Sequence, residues 1–227
     1  MKKKIDYILR KFFLHKNEEL PAFLLQKLYH QGSYLPYTTS SLKFRFLACM
    51  VNDIVVNSRS SMLEFGSGIS TIIAARLIKM NNLNCTITTV DESAEWQEII
   101  KKILKEENLS DYVKFVCAPT VKSIDLDHSF EYNSDIVFGA NGNKKFDLVL
   151  VDGPSAWQKT NIMSRASNLK FMKNNMAENF TIFIDNSDRL GETELAKRVA
   201  VTLNLKPTHL DPTFLTFSKG QHFNYVI

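Results

Sequence analysis

The chain has 227 residues, enough for one domain with a sizeable core and an N-terminal extension. Its 44% hydrophobic and 23% charged content is that of a globular domain, and no long apolar run offers a transmembrane helix. The formal charge of +4 gathers near the N-terminus, which excludes a basic nucleic-acid-binding face on the body of the domain. Cys49, Cys85 and Cys117 form no CxxC pair and sit among apolar neighbours. They are expected to be buried free thiols of a reducing compartment, hence of a cytoplasmic protein.

Residues 2–16 set Ile5, Ile8, Leu9, Phe12 and Phe13 on one helical stripe, with Lys2, Lys3, Lys4, Arg10, Lys11 and Lys16 largely off it. A basic N-terminus that turns amphipathic argues against a secretory signal. Such a helix docks on its own domain, on a second copy in a homo-oligomer, or weakly on an anionic membrane surface. Residues 18–30 predict a second helix and 33–41 a polar and aromatic linker, so 1–40 is a helical extension and 41–227 the main domain. A helix over 41–56 leads into Ser61–Phe65.

Met62, Leu63 and Phe65 make a short apolar strand that runs into Gly66-Ser67-Gly68, and Ser70 and Thr71 are placed to cap the helix that follows. Strand, glycine turn and helix start together present free N–H groups to an anionic or carboxylate-bearing ligand. The β-branched run 85–90 ends in Asp91, roughly twenty residues beyond Gly68, where a βαβ unit brings a carboxylate to the hydroxyls of a ribose. Tyr112–Cys117 predicts a third strand. Residues 120–145 show no sustained periodicity and are expected to be a loop over the carboxyl ends of the strands, with His128 and Tyr132 as candidate contacts. Phe146–Val151 and Phe180–Ile184 are apolar runs suited to parallel strands buried on both faces, and they end in Asp152 and Asp185. Helices are expected over 161–176 and 191–203. A terminal hairpin is expected from 213–217 and 222–227 about Ser218–Gln221. Asp91, Asp152 and Asp185 thus share one rim of an open sheet, a concentration of charge that a ribose, a cationic ligand or a divalent metal would offset.

Leu63–Thr71 (LEFGSGIST) resembles motif I of class I S-adenosylmethionine-dependent methyltransferases, and Val90–Trp96 (VDESAEW) resembles their second motif. The resemblance covers about residues 42–227. It implies an α/β, Rossmann-like fold: a seven-stranded, mostly parallel sheet with an antiparallel C-terminal hairpin, preceded by the helical extension. It further implies that Glu64, Phe65, Gly66, Ser67, Gly68, Ser70 and Thr71 shape the methionine pocket and that Asp91 holds the ribose. Glu92, Trp96, Cys117 and Ala118 would lie near the adenosine, with Asp152 at the inner edge. Thr71 stands where a dinucleotide-binding G-x-G-x-x-G loop needs its third glycine, which disfavours NAD.

Asp152, Asp185 and Asn186 are similar to the metal ligands of the catechol O-methyltransferase-like group, which implies Mg²⁺ or Ca²⁺ and a catalytic part for Asp152. Ser155 stands where that group has a lysine base, and Lys159 is the nearest substitute; the alternative is that Asp185 and Asn186 cap the next helix. Asp152-Gly153-Pro154 and Asp188–Glu192 (DRLGE) are also similar to a bacterial methyltransferase group, in which Arg165 and Arg189 would meet an anionic acceptor. The function implied is methyl transfer to an oxygen of a small molecule or glycan. Transfer to nitrogen, or a non-catalytic cofactor-binding subunit, are the alternatives.

Overall fold

The computed structural model describes residues 18–227, so the amphipathic segment 2–16 lies outside the described residues. Two short helices, α1 (Glu19–Leu24) and α2 (Gln26–His30), replace the single helix expected over 18–30, with a break at Leu25. Helix α3 (Phe44–Val56) then leads to β1 (Ser61–Phe65), α4 (Ile69–Met80), β2 (Thr86–Asp91), α5 (Ala94–Glu106) and β3 (Val113–Cys117). After β3 come a small antiparallel pair, β4 (Thr120–Lys122) and β5 (Phe130–Tyr132), and helix α6 (Ser134–Asn141). Strand β6 (Phe146–Val151), a 3-10 turn (Ser164–Asn168), α7 (Leu169–Met172), β7 (Met176–Asp185), α8 (Leu190–Leu203), β8 (Thr208–Asp211) and β9 (Phe214–Lys219) complete the chain.

The seven-stranded sheet runs β3-β2-β1-β6-β7-β9-β8. Strands β1, β2, β3, β6 and β7 are parallel, and β9 and β8 pair antiparallel at the edge. The chain walks outward from β1 to β3 and returns to β6, so the strand order reverses between β1 and β6. Ligands of open α/β sheets bind at that switch point, outside the carboxyl ends of the strands.

Alternation along the strands explains why both faces are covered. Met62, Leu148, Leu150 and Phe183 face a core built with α3, α4 and α5. Leu63, Phe65, Val149, Val151, Ile182 and Ile184 face a second core with α7 and α8. Residues one apart point to opposite sides of a strand, so these near-continuous apolar runs are buried on both faces. All three cysteines are free, Cys49 and Cys85 buried and Cys117 half-buried.

Three expectations are corrected. Residues 120–145 are not a loop: their strands span only three residues each and so leave no readable period. The helix expected over 161–176 is broken. Its 3-10 turn is held by side chains, with Arg165 Nε donating to Pro154 O (3.3 Å) and Asn168 Nδ2 to Gly153 O (2.7 Å), and Met176 already belongs to β7. The terminal hairpin forms from β8 and β9 about Pro212-Thr213, because Asp211 Oδ1 accepts from the Thr213 N–H (2.5 Å) and its hydroxyl (2.9 Å) and so closes that turn. Residues 222–227 are not a strand.

The segment before α3 is fastened to the body of the domain. Leu25, Leu28 and Leu35 are buried in the first core. Arg76, on α4, donates to Leu28 O (2.6 Å), Tyr29 O (3.1 Å) and Ser33 O (3.0 Å), while its Nη2 and Nε also donate to Glu107 (2.5 and 2.7 Å). This clamp fixes where residues 36–43 run, over the switch point. No helix among the described residues is long and apolar enough to cross a membrane.

Candidate functional site

The turn after β1 is built by backbone geometry. Gly66 has φ +96, and its N–H donates to Val90 O (2.8 Å). From the other side the Asp152 N–H donates to Phe65 O (2.9 Å), which draws the ends of β2, β1 and β6 together. A Cβ on Gly66 would stand 2.9 Å from Gly153 N, so glycine is required by both conformation and space. Gly68 differs: a Cβ there would meet nothing within 4 Å, because it would project into a cavity.

Beneath the turn lies Glu64, fully buried, whose carboxyl accepts from the Ser70 and Thr71 hydroxyls (2.5 Å each). Thr71 Oγ1 also accepts from the Gly68 N–H (3.0 Å) and so completes the helix start. Ser70 makes no such cap; its hydroxyl is spent on Glu64, a correction to the capping role expected for it. Burial is the main cause that pushes the Glu64 carboxyl up to about 7, against the pull of those two hydroxyls.

The sign of that shift has a consequence. A carboxyl whose pKa rises from 4.5 to about 7 on folding holds its proton more tightly in the folded state. It stabilises the fold fully below pH 4.5, and that contribution is lost as pH rises through about 7. Glu64→Gln is therefore expected to reduce the fall in unfolding free energy between pH 5 and pH 8 by on the order of 2 kcal/mol, measured by urea titration at the two pH values.

Asp91, at the end of β2, faces the turn. Its Oδ2 accepts from the Ser67 N–H (2.8 Å) and its Oδ1 from the Ser93 N–H (2.9 Å). Burial pushes this carboxyl up to about 6. Trp96 Nε1 donates to Ser67 O (2.7 Å), so the indole braces the glycine turn from the side of α5. Glu92 accepts from the Ser155 N–H (3.0 Å) and hydroxyl (2.7 Å), and from the Tyr132 hydroxyl (3.3 Å). The β2 end is thereby joined to the loop after β6.

These groups surround a cavity of about 720 Å³. Gly66, Ser67, Gly68, Ser70, Asp91 and Glu92 line it, together with Asp152, Arg165, Asp185, Asn186 and Arg189. Glu64, Phe65 and Thr71 lie under the floor. Cys117 and Ala118 do not line this cavity; Ala118 is fully buried, its N–H donating to Asp91 O (2.8 Å). Lys159 is exposed and away from the cavity wall.

Sequence reasoning missed the roof. Pro36 to Lys43 cross the cavity, and the exposed Trp157 stands at its mouth. The signal available was an aromatic residue, Tyr37, followed by the hydroxyl run Thr38–Ser41 in a supposed linker. Tyr132 is fully buried rather than a loop contact, with its ring stacked on Phe65 at 6.0 Å between centroids.

The acidic cluster is already paired with arginine. Arg165 Nη2 lies 3.0 Å from Asp152 Oδ1 and Nη1 lies 3.2 Å from Glu192 Oε1. Arg189 stands 3.8 Å from the same Glu192 oxygen. Burial raises the pKa of both Asp152 and Asp185, that of Asp185 further because Asp152 is beside it. Asn186, at φ +56, turns its amide nitrogen toward Asp185 Oδ2. Asp152, Asp185 and Asn186 are thus adjacent, yet the arrangement does not fit a divalent cation. A guanidinium sits on one carboxylate, and the amide presents its donor instead of its oxygen. Among the described residues no group of three or more His, Cys, Asp or Glu side chains is placed to hold a metal ion.

Comparison with known proteins agrees with the architecture. A family model described as a methyltransferase domain matches residues 63–187. No curated protein sequence matches the chain. Among solved structures, an O-methyltransferase from Bacillus cereus in complex with SAH aligns with a TM-score of 0.55 at 14% identity, covering 87% of this chain and 90% of that one. The O-methyltransferase TomG from Streptomyces achromogenes, in complex with SAM, aligns at 0.52 and 13% identity over 97% of this chain and 100% of its own. The SAH-bound methyltransferase PaMTH1 from Podospora anserina aligns at 0.55 and 14% identity over 90% and 97%. The fold is that of these enzymes, and since the family model spans more than half of the sequence, from β1 to just beyond β7, the chain belongs to the methyltransferase-domain family.

Proposed function

We propose that the protein transfers a methyl group from S-adenosylmethionine to an oxygen of a small-molecule or glycan acceptor. The observation that carries the reading is Asp91, held by the Ser67 N–H at 2.8 Å across the glycine turn at the switch point, so that ribose hydroxyls and turn amides are served from one corner of the cavity. The similarity to O-methyltransferases solved with SAM or SAH supports both the cofactor and the choice of oxygen.

When bound, the cofactor supplies a sulfonium methyl that is already activated. The chain's own residues then have positioning to do. Glu64 braces Ser70 and Thr71 under the turn, Gly68 leaves the approach to the turn open, and Ser67 is fixed between Asp91 and Trp96. Residues 36–43 and Trp157 cover the cavity, so the acceptor is oriented between that roof and the Asp152–Arg165 pair. Holding two reactants in line accounts for most of the acceleration that such a site needs.

Asp91→Ala leaves the Ser67 and Ser93 N–H groups without their acceptor. It is expected to weaken SAH binding on the order of 100-fold, read by calorimetry, while the domain stays folded by circular dichroism. The reaction itself is tested by incubating the protein with methyl-tritiated S-adenosylmethionine and a panel of hydroxyl acceptors, neutral and anionic. Label in an ether or ester is the expected result. Label recovered only in an N-methyl product would move the acceptor atom to nitrogen. SAH binding with no transfer to any acceptor would leave a cofactor-binding subunit.

A further inference from the structure

We propose that the Arg165 guanidinium takes the place of a divalent cation at the acceptor end of the cavity, so that the acceptor oxygen meets a fixed organic cation and the site works without metal. The inference rests on the reading of this cavity as the methyl-transfer site, and it concerns how that site handles charge.

Arg165 comes from the 3-10 turn after β6 and is 6% exposed. Three anchors hold it: Asp152 Oδ1 at 3.0 Å, Glu192 Oε1 at 3.2 Å and the Pro154 carbonyl at 3.3 Å. A guanidinium held by two carboxylates and a carbonyl is a planar cation of set orientation. One nitrogen is incompletely used. Nη1 is buried and forms no well-directed hydrogen bond despite its closeness to Glu192, and the side chain lines the cavity.

Two arginines already occupy the neighbourhood of these acids. Asp152, Asp185 and Glu192 are the acids within reach, and Arg165 and Arg189 face them. A dication placed against Asp152 would lie within contact range of the guanidinium, and repulsion between like charges at a few ångströms in a buried site is large. Asn186, the third oxygen donor a cation would require, points its nitrogen at Asp185 instead. Arg165 thus supplies what a metal would otherwise supply: a positive charge in the cavity wall and countercharge for the rim acids.

The test uses the full chain and the metal ions alone. Mg²⁺, Ca²⁺ and Mn²⁺ are titrated by calorimetry and thermal unfolding up to about 10 mM, with EDTA as the reference. The expected result is no saturable heat and a Tm constant within about 1 °C. In Arg165→Met the carboxylates lose their cation, and the same ions are expected to raise Tm by several degrees. Saturable binding to the wild-type protein that disappears in Asp152→Asn would overturn the proposal, and so would a folded Arg165→Met variant indifferent to all three ions. If that variant does not fold, the wild-type titration decides alone. None of these measurements involves S-adenosylmethionine, so their failure is separate from a failure of the cofactor reading.

Discussion

Replacing Arg59 by methionine is expected to cost about 3–5 kcal/mol of folding stability, the largest single effect outside the site. Arg59 follows α3 and is 4% exposed. Its Nε and Nη2 meet the two oxygens of Asp53 at 3.0 Å each, and Nη2 also donates to the Thr181 hydroxyl at 2.7 Å. A further nitrogen reaches Asn179 O at 3.4 Å. One side chain therefore ties α3 to β7 from beneath the sheet. Methionine keeps most of the volume but leaves the Asp53 carboxyl buried without its cation, and burial already works against that charge. Urea unfolding at pH 7 measures the loss. A change in midpoint worth less than about 1 kcal/mol would show that the pair is only a neutral substitute for packed apolar atoms.

Gly66→Ala is expected to be the most damaging substitution in the glycine turn. Alanine at φ +96 is strained by about 1–3 kcal/mol. Its Cβ would also press on the Gly153 backbone at 2.9 Å, where no flexible side chain can give way. Relief requires the ends of β1 and β6 to part, which removes Asp152 N from Phe65 O and reshapes the cavity floor. Stability is expected to fall by about 2–4 kcal/mol and SAH affinity by on the order of 100-fold. Gly68→Ala makes the contrast. Its backbone is extended and its Cβ would meet open space, so stability is expected to change by less than about 0.5 kcal/mol while the methyl group still obstructs the ligand. Equal destabilisation by the two variants would contradict the close-packed junction of β1 and β6.

The parts of the fold that were legible in the sequence are those where one physical requirement dominates a short stretch. Phe146–Val151 must be apolar on both faces, so its strand and its place in the middle of the sheet can be read directly. Gly66 and Asp91 were legible because their spacing is set by the length of one βαβ unit. The residues 161–176 failed for the opposite reason. Their backbone conformation is decided by Arg165 and Asn168 reaching carbonyls in another loop, a contact that no local period encodes. The roof of the cavity was hidden in the same way, since residues 36–43 acquire their place from Arg76 gripping the chain several residues earlier. The acids at the rim were visible one by one. Whether they hold a metal or an arginine depends on a side chain supplied by another turn of the chain, and only the assembled structure brings Arg165 against Asp152.

Calorimetric titration of the full chain with SAH tests the central claim most directly. The account requires one site per chain, with a Kd on the order of micromolar and an affinity that falls in Asp91→Ala and Gly66→Ala. Because Thr71 stands where a dinucleotide-binding loop needs its third glycine, NAD⁺ is expected to give no saturable heat. Absence of SAH binding at about 1 mM ligand, or NAD⁺ binding in its place, would contradict it.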